Sequence, residues 1–268
     1  MFDTNGGPAL THRSARVASS IVAGLLLALS TACSGDTEPA APAAEPNLAG
    51  ATCVGEAAGG TKVEFTSGDG ARLVGIELGQ GRTGVVLAHQ NSSDLCEWLP
   101  YGNQLAKKGY RVLAFDFAGE GGSGDPESPA ALDGEVVAAV EHIRSRGASD
   151  VVLMGASKGG TAILTAAATI TPAPKALVSL SAPGRFDAMD ALAAAPKLQS
   201  ATLYLAGRTD GQFAISAQQL YDATPAASRT ILVVDEGAHG TALLRSGSGD
   251  KVTQAIEALL AESAPPAA

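Results

Sequence analysis

Val151-Val152-Leu153-Met154-Gly155-Ala156-Ser157-Lys158-Gly159-Gly160-Thr161-Ala162-Ile163-Leu164-Thr165-Ala166-Ala167-Ala168 is the stretch on which the fold turns. Its first four residues are bulky and apolar, as expected of a strand buried on both faces. The segment from Gly160 onward is rich in alanine and favours helix. Between them stands Gly155-x-Ser157-x-Gly159. A serine at such a strand-to-helix junction sits on a sharp, strained turn that lifts its hydroxyl above the sheet. The flanking glycines fit because a Cβ at either place would collide with the neighbouring strand or helix.

Working outward, the chain alternates between two periods. Thr61–Ser67 and Arg72–Leu78 read as strands joined across Gly68-Asp69-Gly70, a hairpin signal. Strand and helix then take turns. Strands are expected at Thr83–Ala88, Arg111–Phe115, Asp150–Met154, Lys175–Leu180, Ala201–Ala206 and Thr230–Val234. Helices are expected at Leu95–Lys108, Pro129–Arg146, after Ser157, at Gln212–Ala223 and at Asp250–Glu262. An antiparallel start followed by βα units predicts a mixed, mostly parallel sheet covered on both faces. The connection from Ser181 to Ser200 is short, with room for one small helix near Asp187–Ala194 and for little or no lid.

In such sheets ligands gather at the carboxyl ends of the strands. The residues there are His89-Gln90-Asn91, Asp116, Ser157, Ser181, Asp210 and His239. A serine hydroxyl attacks only if a base takes its proton. His239, in Gly237-Ala238-His239-Gly240 after the last strand, is that base by elimination among four histidines. His12 lies in the N-terminal segment, and His142 falls mid-helix as a solvated or packing residue. The base needs an acid to hold its tautomer. Asp210 is the best candidate, with Asp235 closer in sequence but directly on a strand end. Asp116 is assigned to bonding the backbone of its glycine-rich loop. Acyl transfer also needs oxyanion donors, one of them the backbone N–H of Lys158. The Lys158 side chain reads as a solvated neighbour of the site.

Taken together, these segments resemble the α/β-hydrolase superfamily, in the lid-poor group of small serine esterases that includes dienelactone-hydrolase-like enzymes. The resemblance covers residues 61–262. It is carried by Val85-Val86-Leu87-Ala88-His89, Gly109-Tyr110-Arg111-Val112-Leu113-Ala114-Phe115-Asp116, Gly155-Ala156-Ser157-Lys158-Gly159-Gly160, Gly207-Arg208-Thr209-Asp210 and Gly237-Ala238-His239-Gly240. It implies an α/β-hydrolase fold and a Ser157, Asp210, His239 triad acting on a small-molecule carboxylic ester without cofactor or metal. His89-Gln90-Asn91 stands where such hydrolases carry His-Gly-x. The resemblance therefore implies a second oxyanion donor at the Asn91 N–H, or at Gln90. Gln90 in place of glycine departs from the pattern, as does serine where dienelactone hydrolases proper use cysteine. The same machinery would serve a peptidase, amidase or thioesterase. A non-catalytic surface binding protein on this scaffold is the reading from another class.

Length and charge bound the rest. A chain of 268 residues with net charge −9 fits one domain plus a tail, and argues against nucleic acid and against electrostatic attraction to anionic membranes. Residues 1–32 read as a signal peptide, with a basic start around His12, Arg13 and Arg16 and an apolar run from Val17 to Leu29. Ser30-Thr31-Ala32-Cys33 resembles a bacterial lipoprotein signal with Cys33 acylated, and ordinary secretory cleavage fits the same residues. Residues 33–60 then form an anchor and flexible spacer, and 61–268 the hydrolase domain. The expected location is extracytoplasmic and membrane-anchored, or secreted. Cys53 and Cys96 remain as an even pair that an oxidising compartment could join.

Overall fold

The computed structural model describes Cys53 and residues 59–126 and 132–266. The expected signal peptide, Cys33 and most of the expected spacer lie outside the described residues. The strands are β1 (Thr61–Thr66), β2 (Arg72–Leu78), β3 (Thr83–Ala88), β4 (Arg111–Asp116), β5 (Asp150–Ala156), β6 (Ala176–Leu180), β7 (Arg185–Phe186), β8 (Met189–Asp190), β9 (Ala201–Gly207) and β10 (Arg229–Val234). The helices are α1 (Leu99–Lys107), α2 (Leu132–Ser145), α3 (Lys158–Ala167), α4 (Ala191–Ala194), α5 (Gln212–Ala223) and α6 (Gly249–Ser263).

Eight strands form one sheet in the order β1-β2-β4-β3-β5-β6-β9-β10. β1 pairs antiparallel with β2, and β2 antiparallel with β4. Every other neighbouring pair is parallel. The mixed sheet expected from the hairpin followed by βα units is therefore the sheet observed. Alternation along each strand divides the core in two. Val86, Leu113, Leu153, Leu177 and Tyr204 face one layer, closed by α2, α3 and α5. Val85, Val112, Val152, Val178 and Leu203 face the other, closed by α1 and α6. Each such side chain, fully buried, contributes about 1.5–3 kcal/mol.

Three expectations change at their edges. The helix expected from Leu95 opens as a 3₁₀ turn, Leu95–Trp98, because the Asp94 side chain accepts the Cys96 N–H. α1 begins only at Leu99, with Pro100 in its first turn, where a missing N–H costs nothing. The Ser181–Ser200 connection holds a two-stranded hairpin, β7–β8, ahead of the expected small helix. Met189, Ala191, Ala195 and Leu198 are buried in the main core, so this segment is anchored rather than free to swing as a flap. Finally, Cys53 is buried and bonded to Cys96, with Cα atoms 5.6 Å apart. The pair allowed by parity is formed. Cys53, which falls in the stretch expected as spacer, is thus tied covalently to Cys96.

Candidate active site

Ser157 occupies the turn between β5 and α3 with φ 48° and ψ −117°, a conformation L-residues rarely adopt. Its backbone is held on both sides: its N–H donates to Leu180 O (2.8 Å) and its carbonyl accepts from Thr161 N–H (3.1 Å). The turn is possible because of its glycines. A Cβ on Gly155 would lie 2.3 Å from Gly159 O, and one on Gly159 would lie 2.3 Å from Ala88 O. The first contact is helix against strand, the second is helix against the neighbouring strand β3. Both were the collisions anticipated from sequence. Ser157 remains 8% exposed at the surface of this turn.

Two strands away, β9 ends in a turn that presents Asp210, and β10 leads to His239. The His239 Nδ1 lies 2.9 Å from Asp210 Oδ2 and 3.1 Å from Oδ1. Such a contact places the ring proton on Nδ1 and leaves Nε2 free to accept a proton. Phe213 lies against the ring, with centroids 4.3 Å apart. Asp235, the rival acid, is 84% exposed at its side chain and pairs with Arg208. The structure thus brings Asp210, and not Asp235, to His239. The histidine loop also reaches the serine turn. A Cβ built on Gly240 would sit 3.4 Å from Ala156 Cβ, next to Ser157.

The loop after β3 departs from expectation at one residue. The Gln90 N–H donates to Glu97 Oε1 at 2.8 Å. That donor is committed, so Gln90 drops out as an oxyanion donor and Asn91 is left from the pair. Glu97 also accepts from Ser93 Oγ (2.9 Å) and, at 3.3 Å, from Thr241 Oγ1. It thereby ties the β3 loop to the histidine loop. Burial pushes its carboxyl above the ordinary range, against these hydrogen bonds. The Gln90 side chain turns inward, its buried Oε1 lacking a hydrogen-bond partner and filling the space where a Gly240 Cβ would stand.

The Lys158 side chain corrects a second expectation. It is 2% exposed, ion-paired with Glu120 and set over the Phe117 ring at 5.0 Å. A buried ammonium requires such partners. His89 lies beside it, fully buried. Its Nε2 accepts Phe117 N–H (3.1 Å), while Nδ1 donates to the Gln90 carbonyl (2.8 Å). Burial, then the Lys158 cation, lower its pKa to about 3. The ring is therefore neutral, and its 3.4 Å approach to Glu120 is not an ion pair. Asp116 accepts from Leu95 N–H (2.7 Å) and Gly122 N–H (2.8 Å), the backbone role read from sequence. Burial raises its pKa to about 6. His142 is a packing residue, stacked on Phe65 and 2.7 Å from Glu77.

A cleft of about 180 Å³ opens beside the serine turn, lined by Asn91, Glu120, Leu132, Lys158, Phe186 and Asp187 among others. The tip of the β7–β8 hairpin supplies one wall. Sequence placed Ser181 at a strand end without giving it a task. In the structure its hydroxyl donates to Asp210 Oδ2 at 2.7 Å and accepts Gly240 N–H at 3.1 Å. A serine at the end of the strand between those bearing nucleophile and acid was the signal available.

Solved structures share this arrangement of elements. An esterase of Pyrococcus furiosus superposes with a TM-score of 0.68 at 17% identity, over 76% of this chain and 92% of its own. The enol-lactonase from Burkholderia xenovorans LB400 gives 0.65 at 17% identity, over 75% and 100%. A monoacylglycerol lipase of Paleococcus ferrophilus gives 0.60 at 18% identity, over 70% and 98%. At such identities the likeness is one of fold. No curated protein matches the sequence. Residues 85–264 match the model described as the alpha/beta hydrolase family, and the chain belongs to that family.

Proposed function

We propose that this protein is an exported serine hydrolase that cleaves a carboxylic ester in two steps through an acyl-enzyme. The observation that carries the reading is the Asp210–His239 contact at 2.9 Å on the loop that packs beside the Ser157 turn. Ser157 Oγ attacks the ester carbonyl while His239 Nε2 takes its proton. His239 then returns the proton to the departing alcohol, and a water repeats the sequence to release the acid. Asp210 holds the imidazole tautomer and stabilises the imidazolium. The N–H groups of Lys158 and Asn91 receive the charge on the tetrahedral oxygen. Esterases, an enol-lactonase and a lipase among the similar folds support ester chemistry over amide chemistry.

The short Ser181–Ser200 connection, with its β7–β8 segment anchored in the core, favours a short acyl group, because it leaves little material to wall a longer chain that would gain about 0.8 kcal/mol for each CH₂ buried. Export rests on the N-terminal segment and on the Cys53–Cys96 bond, which an oxidising compartment sustains. Cys33 is the proposed lipid acceptor, holding the domain at the outer face of a membrane. Labelling by a fluorophosphonate, read beside turnover of esters of graded acyl length, tests the core of this reading. Ser157→Ala is expected to abolish labelling and to lower turnover by about 10⁵–10⁶-fold. Persistent labelling would mean another serine is the nucleophile. Labelling without ester turnover would favour a peptidase or amidase. Intact mass of the mature protein, with and without Cys33→Ser, tests the anchor.

A further inference from the structure

Ser181 is fully buried immediately after β6, with φ 50°. Its backbone N–H is used by Leu205 O at 2.8 Å, so the residue is fastened to β9. Its hydroxyl is spent on two groups that both belong to the site. It donates to Asp210 Oδ2 (2.7 Å), the oxygen that also lies 2.9 Å from His239 Nδ1. It accepts the N–H of Gly240, the residue after His239 (3.1 Å). A serine that needed only to satisfy itself in the core would find a backbone carbonyl, as Ser200 does with Pro174 O. Ser181 instead holds an uncommon backbone conformation that carries its hydroxyl to the acid.

We propose that Ser181 is a positioning residue for the Asp210–His239 pair, an inference that rests on the Ser-His-Asp reading above. A carboxylate can turn about its Cβ–Cγ bond, and a donor on Oδ2 from a buried, fixed point removes that freedom. The same hydroxyl fixes the backbone beside the imidazole. One side chain from β6 thus sets the acid carried after β9 against the base carried after β10. Hydrogen bonds to charged groups are the strong ones in proteins. The benefit falls on the charge-separated transition state, when the imidazolium leans on Asp210, so kcat should register it more than KM.

The test is a double-mutant cycle on the full-length protein, with kcat and KM for a short-chain ester measured for Ser181→Ala, Asp210→Asn and the pair. Ser181→Ala is expected to lower kcat by about 10- to 100-fold with KM within about twofold. In the Asp210→Asn background the same change should cost less than about threefold, because its partner is already impaired. Ser181→Cys, whose thiol is a weaker donor, should fall between wild type and alanine, and carries the cycle if the alanine variant does not fold. Equal losses in both backgrounds, or wild-type kcat in the single variant, would overturn the inference while leaving the triad standing. A silent Asp210→Asn would instead overturn the triad assignment itself.

Discussion

The two ends of the parallel strands differ in where serine takes left-handed backbone. Chain leading into β3, β4 and β5 takes positive φ at Gly79 (67°), Gly109 (96°) and Gly147 (103°). Chain leaving β4, β9 and β10 also uses glycine, at Gly119, Gly121, Gly211 and Gly240, but chain leaving β3, β5 and β6 takes it at Ser92 (57°), Ser157 (48°) and Ser181 (50°). Glycine adopts such backbone freely, whereas a serine there costs on the order of 1–3 kcal/mol. The polar groups follow the same division. Near the start of β4, Glu77 is met by the Arg111 and Arg146 guanidinium groups at 3.6 and 3.5 Å and lies 2.7 Å from His142 Nε2. At the other end burial dominates: Asp116 is raised to about 6, Glu135 to about 7, and His89 is depressed to about 3. Strained serines and carboxylates with pKa raised by burial thus gather at the end of the sheet that carries the candidate site.

The strongest way to break this contrast is at the acid. Asp210→Asn should keep the fold and lower kcat by about 10³–10⁴-fold, through the wrong imidazole tautomer and the lost charge. Asp235→Asn, at an exposed pair with Arg208, should stay near wild type in the same ester assay. The reverse outcome would move the acid to the other loop.

The disulfide comes next. Cys96 precedes Glu97, which ties the β3 loop to the histidine loop, so the ligand-facing end is braced covalently as well. Closing a loop of 43 residues should stabilise the fold by about 4 kcal/mol. Denaturation of Cys53→Ser/Cys96→Ser should show a loss of this order. A loss below about 1 kcal/mol would mean the brace is redundant.

Glu135 sharpens the comparison through pH. Its Oε2 accepts Ala118 N–H (2.8 Å), and burial lifts its pKa to about 7. With a folded value above the unfolded one, its favourable contribution is complete below about pH 4.5 and is lost as pH rises through 7. Glu135→Gln should therefore raise the thermal midpoint relative to wild type at pH 8, and the difference should vanish near pH 4.5. A constant difference across that range would show that burial of the charge is not what Glu135 costs.

The smallest expected effect exchanges the two solutions directly. Ser157→Gly should raise stability by about 1 kcal/mol while abolishing activity, since it relieves a strained turn. Gly147→Ala should lower stability by about 1 kcal/mol with kcat unchanged. Space is not at issue there, because no atom lies within 4 Å of the added Cβ. Urea denaturation of both variants measures the pair, and two changes of the same sign would contradict the division of strain.

Periodicity and punctuation in the chain determined the order of elements, the mixed sheet and the serine turn. Those features depend on local rules: apolar runs become strands, and Gly155 and Gly159 are demanded by contacts within one strand–turn–helix unit and its neighbour. The identities at the strand ends were legible for the same reason, since topology alone sends Ser157, Asp210 and His239 to one edge. Tertiary structure decided what depends on distance between loops remote in sequence. It chose Asp210 over Asp235, because only Asp210 is carried inward to His239. It spent the Gln90 N–H on Glu97 and drew the Lys158 ammonium into the core beside Glu120. It joined Cys53 to Cys96 and gave the Ser181 hydroxyl to Asp210. Hydrogen bonds and disulfides select partners within a few ångströms in space, and a one-dimensional pattern carries no record of which loops close that gap.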